Sequence, residues 1–271
     1  YNYRHSTGTP IDHLSGSFET FNDPSRFGLF YHAALIFRRG DVKPANKTIV
    51  VNIPDDDVFN PPSPNAWSIP ALVATNEEHK VAMAIGDSGD ISDDMIVHPS
   101  NERIVEAGET EVTSDTGQMY RSWKKRIGSI DTPFTKAAYG FIGEVESIQM
   151  QGLELKANTP FATIALSSLT DYPIEKSGRL LLTAVGRSEN TGFVYNILHT
   201  KMLDRGHEPI LIEPIQANIK LTIQTDGLKV WAIGADGERI KQISSRVEDG
   251  NLVFDIGKEN RTIYYLLEES H

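Results

Sequence analysis

From Glu109 to the end, the sequence is a succession of short apolar runs, each closed by Gly, Pro, Asp or Asn. That rhythm leaves room for strands and almost none for helices. It predicts strands over Met119–Ile127, Tyr139–Phe141, Ser147–Met150, Leu153–Lys156, Ala162–Ser167 and Arg179–Arg187. Further strands are expected over Ile210–Glu213, Asn218–Ile223, Lys229–Ala235, Leu252–Asp255 and Thr262–Leu266. The run Leu180 to Val185 is apolar enough for a central strand buried on both faces. Ala235-Asp236-Gly237-Glu238 and Glu248-Asp249-Gly250-Asn251 carry the Asp-Gly signal of tight hairpins. Many short strands with few helices describe a mainly β chain with a sandwich or a pair of packed sheets.

The first forty residues read differently. Phe27, Phe30, Tyr31, Ala34, Leu35 and Phe37 recur at spacings of three and four, which predicts one apolar face on a helix over Ser25–Gly40. Asn22 or Asp23 is suited to cap it, Pro24 fits the first turn, Arg38-Arg39 suits the last, and Gly40 is the expected stop. Aromatic residues this dense imply a face that packs on something large. Between about Pro54 and Ser114 the pattern changes. Thr48–Ile53 and Lys80–Ile85 read as strands, residues 67–78 as a short helix, and Asp55-Asp56-Asp57 as a solvated turn. That aspartate run lacks the alternating ligands and distal Glu of a calcium loop, and Asp87, Asp90, Asp93 and Asp94 form a weak candidate cluster for a cation.

Composition excludes several kinds of chemistry. The formal charge is −11 in 271 residues, which disfavours a general nucleic-acid binder. With no cysteine there is no disulfide, thiolate metal site or cysteine nucleophile. No apolar run is long enough for a membrane helix. The eight histidines are scattered and show no helical metal-binding spacing, so no metal and no cofactor are expected. His5, His13 and Asp12 form a weak grouping, better read as hydrogen-bonding groups. Gly-x-Ser-x-Gly and phosphate-cradling glycine loops are absent. Glu19 and Asp23 read as surface or capping carboxylates. Glu144 and Glu146, two apart beside a strand, would share a face and compete rather than flank a substrate. The basic run Arg121, Lys124, Lys125 and Arg126, interleaved with Tyr120 and Trp123, reads as a charged sheet edge. Trp67, Trp123 and Trp231 are possible sugar-stacking platforms, with core packing the better account of Trp231.

Two segments carry a resemblance. Asp23-Pro24-Ser25-Arg26 leads to Ala33-Ala34-Leu35-Ile36-Phe37-Arg38-Arg39-Gly40-Asp41-Val42-Lys43-Pro44-Ala45. Later comes Gly178-Arg179-Leu180-Leu181-Leu182-Thr183-Ala184-Val185-Gly186-Arg187-Ser188-Glu189-Asn190-Thr191-Gly192. Together they resemble the C-terminal part of bacterial glycoside hydrolases with a (β/α)8 catalytic barrel and trailing β domains. The resemblance implies that residues 1–48 hold the last strand–helix unit of the barrel, with Tyr1–Ser6 as its eighth strand. Residues 49–114 would connect, and 115–271 would form the β-sandwich-like region. The catalytic carboxylates would then lie on earlier strands, so no catalytic residue is assigned. Loops after barrel strands line the active site, which makes Tyr3, His5, His13 and Phe18 the expected substrate contacts. The expected partners are an N-terminal barrel portion of the same protein and a carbohydrate, with no nucleic acid and no membrane. The start at Tyr1 suggests one piece of a longer polypeptide, cytoplasmic or secreted. A non-catalytic carbohydrate-binding or structural β module is the alternative.

Overall fold

The structure, a computed structural model, describes residues 23–53, 55–60, 75–86, 95–99, 110–198, 201–225 and 227–269. The chain divides into two compact units, Tyr1–Asp41 with Pro133–His271, and Val42–Thr132. Its described part is mainly β.

The expected helix is present as α1 (Pro24–Phe27) and α2 (Phe30–Arg39). Asp23 caps α1, its carboxylate accepting from the Ser25 amide at 3.0 Å, and Pro24 occupies the first turn. The helix is interrupted at Gly28, where a Cβ would lie 2.5 Å from the Pro24 carbonyl and 2.9 Å from Ile263 Cδ1. Only glycine fits so close an approach. Gly40 ends α2 in the left-handed conformation (φ 60°, ψ 42°), and the Asp41 amide donates back to the Ile36 carbonyl.

Within Val42–Thr132, β1 (Thr48–Ile53) is followed by α3 (Asp55–Phe59), β2 (Lys80–Ile85) and β3 (Met95–Pro99). The three strands are parallel in the order β2-β1-β3. The aspartate run at 55–57 therefore starts a short helix rather than a turn. Acidic side chains are favourable in the first helical turn, where the peptide dipoles leave positive charge. Residues 75–78 are helical, in line with the end of the expected helix. A meander of β4 (Glu111–Thr113), β5 (Met119–Ser122) and β6 (Ile127–Asp131) completes this unit. The single strand expected over Met119–Ile127 is thus a hairpin. Its tip, Trp123–Arg126, closes with Arg126 at φ 57° and the Lys125 amide donating to Ser122 Oγ at 3.1 Å. Lys124, Lys125 and Arg126 of the basic run form that tip, and Arg121 lies on β5 between β4 and β6 rather than at a sheet edge. The tip lacks Gly, Asn or Asp, so no usual turn signal marked it.

The other unit continues with β7 (Thr135–Gly140), β8 (Ile148–Met150), β9 (Leu153–Ala157), β10 (Ala162–Ser168) and β11 (Arg179–Val185). A side excursion holds β12 (Ser188–Thr191), β13 (Val194–Tyr195), β14 (Met202–Asp204) and β15 (His207–Ile212). The remainder is β16 (Ala217–Thr222), β17 (Leu228–Ile233), β18 (Arg239–Ile243), β19 (Ser245–Glu248), β20 (Asn251–Ile256) and β21 (Tyr264–Glu269). The excursion pairs β12 with β15 and β13 with β14, and the other strands form two larger antiparallel sheets. One runs β18-β17-β21-β11-β10-β7 within this unit, the other β19-β20-β16-β9-β8. Leu180, Leu182, Tyr265, Leu267, Val230 and Leu166 of the first are essentially inaccessible, as are Leu155, Ile219, Leu221, Leu252 and Phe254 of the second. Each set lies on one face of its sheet, and removing those faces from water is the main drive to a sandwich-like fold. As the sequence suggested, β11 is central and buried. Both Asp-Gly pairs make hairpins, with Asp249 at φ 50° and Gly250 at φ 76°. Glu144 does not flank a strand. It ends a 3-10 turn, Ile142–Glu144, held where Gly143 presses on the Thr159 carbonyl.

Candidate functional site

Helix α2 presents the less expected face to its own sheet. Its one buried side chain is His32, 3% exposed, whereas Phe30 is 54%, Tyr31 62% and Phe37 87% exposed. The aromatic stripe read from the sequence is real, and it points away from the described core. The opposite face is fixed by polar contacts. His32 Nδ1 lies 2.7 Å from Ser167 Oγ on β10, and Nε2 lies 2.8 Å from Thr183 Oγ1 on β11. Arg39 donates to the Ser168 and Thr170 carbonyls at 2.8 and 2.9 Å, and its guanidinium stands over Phe134. Below them, Asp23 accepts from Ser188 Oγ at 2.7 Å.

The direction of the hydrogen bonds can be followed from Asp41. Its carboxylate accepts from Thr135 Oγ1 at 3.0 Å, and Thr135 Oγ1 lies 3.0 Å from Ser167 Oγ. A hydroxyl has one proton. With the Thr135 proton on Asp41, Ser167 donates to Thr135 and accepts from His32 Nδ1–H, leaving Nε2 to accept from Thr183. Burial drives the His32 pKa from 6.5 down to about 4, consistent with a neutral ring. A serine 2.7 Å from a histidine has the spacing of a nucleophile and its base. Here the serine is inaccessible, its proton is committed to Thr135, and Thr183 is equally closed off. The relay is structural and holds the helix on the sheet.

Among the grooves that open on this unit, two flank the sheet that carries the helix. One, of 490 Å³, is apolar and runs beside the helix between Phe27 of α1 and Ile210, Ile212, Ile263 and Tyr264. The other, of 780 Å³, is polar and lies at the far end of the same sheet, with Trp231, Tyr172, Arg179, Arg239 and Glu268 on its walls. Trp231 lines this groove and also, half-buried, packs on a buried apolar cluster, as its expected packing role requires. Along β17, Leu228, Val230 and Ala232 point into the sandwich, so Trp231 takes the outer face. It packs there against Leu181, Ile233, Tyr264 and Leu266. The alternation of the strand decides this, and the apolar neighbours Val230 and Ala232 concealed it in the sequence.

The expected substrate contacts Tyr3, His5, His13 and Phe18 lie outside the described residues, as do Trp67 and the aspartates between 87 and 94. Among the described residues no three His, Asp or Glu side chains converge on a possible metal site. No helix among them is long and apolar enough to cross a membrane. Comparison of the chain with protein families, with curated proteins and with solved structures gave no match.

Proposed function

We propose that this chain is the C-terminal portion of a glycoside hydrolase, non-catalytic by itself, that completes an N-terminal (β/α)8 barrel carrying the catalytic carboxylates. The observation that carries the reading is the outward aromatic stripe of α2, on a helix whose other face is already engaged. A barrel-wall helix followed by β domains needs both faces occupied: one by the barrel strands, one by the trailing sheet. The stripe supplies the first and the His32 relay the second. The resemblance of residues 23–45 and 178–192 to such hydrolases gives the reaction class. In this reading residues 1–48 finish the barrel, and Tyr3, His5, His13 and Phe18 reach the sugar from its last loop.

Glycoside hydrolysis requires two carboxylates held at a fixed separation, so residues 1–271 alone are expected to turn over no glycoside above background. Co-production with an N-terminal fragment of seven strand–helix units should restore hydrolysis across a panel of aryl-glycosides and polysaccharides, and Phe30→Asp should abolish the restoration. Turnover by the chain alone would overturn the proposal. A second reading, a carbohydrate-binding β module, is favoured by the polar groove around Trp231.

A further inference from the structure

We infer that the groove around Trp231 is a binding site for an anionic oligosaccharide, one bearing carboxylate or sulfate groups. The inference rests on the reading that the chain serves an enzyme acting on carbohydrate. The floor of the groove follows from strand register. Arg179 on β11 pairs with Glu268 on β21, which pairs with Lys229 on β17. Two residues along, on the same face, Leu181 pairs with Leu266, which pairs with Trp231. A charged row therefore lies next to an apolar row, about 7 Å away. A saccharide laid across the two rows would meet the apolar row with a ring face and the charged row with its polar substituents.

The platform is held in place. The Arg239 guanidinium stacks 4.7 Å from the Trp231 ring and pairs with Glu268, whose other oxygen is 3.8 Å from Arg179 Nε. These contacts consume the Glu268 charge. Lys176 and Lys229, both exposed on the groove wall, make no ion pair among the described residues. Four cations (Lys176, Arg179, Lys229, Arg239) thus face two carboxylates, Glu268 and Glu269, on a chain of net charge −11. A local excess of positive charge on an acidic chain draws in an anion and repels little else. Tyr172, 63% exposed, adds a second aromatic surface. A neutral sugar would use the aromatics but leave the lysines idle. A plain polyanion would use the lysines but gain nothing from Trp231. An acidic sugar uses both.

The test is calorimetric titration of the full chain with a uronic-acid oligosaccharide, a sulfated oligosaccharide, a neutral oligosaccharide of equal length and poly-glutamate. Binding of one or both acidic saccharides is expected, weakening with salt, with the neutral sugar and poly-glutamate each at least about tenfold weaker. Trp231→Ala and, on the exposed wall where folding is not at stake, Tyr172→Ala are each expected to weaken binding by about tenfold. Lys176→Ala with Lys229→Ala should remove the salt dependence. Equal binding of the neutral sugar, equal binding of poly-glutamate, or no binding of either acidic sugar would overturn the inference. Because the chain is titrated without any barrel fragment, failure here leaves the restoration of hydrolysis unaffected, and failure to restore hydrolysis leaves the titration unaffected.

Discussion

Of the polar groups that hold α2 to the sandwich, the His32 imidazole is buried, and its position makes that part of the attachment depend on pH. The unfolded chain protonates His32 near 6.5, the folded chain near 4. Between those values the unfolded state binds the extra proton, so stability rises with pH. The contribution is complete above about 6.5 and is lost as pH falls toward 4. For this buried group the whole span is worth about 3 kcal/mol. Urea unfolding at several pH values from 7.5 to 4.5 should show that slope, flattened in His32→Leu, which should also be less stable at pH 7.5 because Ser167 and Thr183 lose a partner. An unchanged slope in the variant would assign the pH dependence to other groups. Nothing in the sequence around His32 marked this role. Its partners lie 135 and 151 residues away, and a lone histidine carries no spacing that betrays such contacts.

For α2 as an element, the aromatic stripe predicts two different energies for one substitution. Phe30 is more than half exposed, so Phe30→Ala in this chain alone should cost less than about 1 kcal/mol. In the complex with a barrel portion the same change should cost about 3–5 kcal/mol, the usual loss when a buried phenylalanine is truncated. Denaturation of both samples separates the cases, and equal small losses would remove the barrel contact. This helix was legible because its signals are local: Asp23, Pro24, Gly40 and the spacing of the aromatics. The strands β9, β10, β11, β16 and β20 were legible for the same reason, since each alternates or is uniformly apolar over five to seven residues. β18 and β19 were not. Their side chains are exposed at every position but Ile243, so neither shows the half-buried period on which a strand reading depends. The parallel pairing of β1 with β2 and β3 was also hidden, because register between distant strands leaves no trace in either one.

On the scale of the whole molecule, Val42–Thr132 has its own internal brace at Asp115. Its carboxylate accepts from the Asn46 and Lys47 amides, each at 2.8 Å, and from His79 Nδ1 at 2.9 Å. Burial pushes the Asp115 carboxyl up, but the Asn46 amide, the His79 ring and the Lys47 amide outweigh it and hold it below the usual range. Asp115→Ala should therefore destabilise this unit by about 2–3 kcal/mol and sensitise residues 42–132 to protease before residues 133–269. Uniform cleavage across the chain would argue against a separately braced unit. The other unit is discontinuous in sequence, with Val42–Thr132 lying between its helix and its sheets. That order has a consequence during synthesis. His32 leaves the ribosome 151 residues ahead of Thr183, an interval of about 8–30 s at ordinary elongation rates. Throughout it, α2 has no sheet to dock on and its aromatic side is bare. A nascent chain in that condition is a natural client for chaperones that hold apolar segments. If a barrel precedes it, that barrel is already out of the tunnel and becomes the first surface the helix can meet.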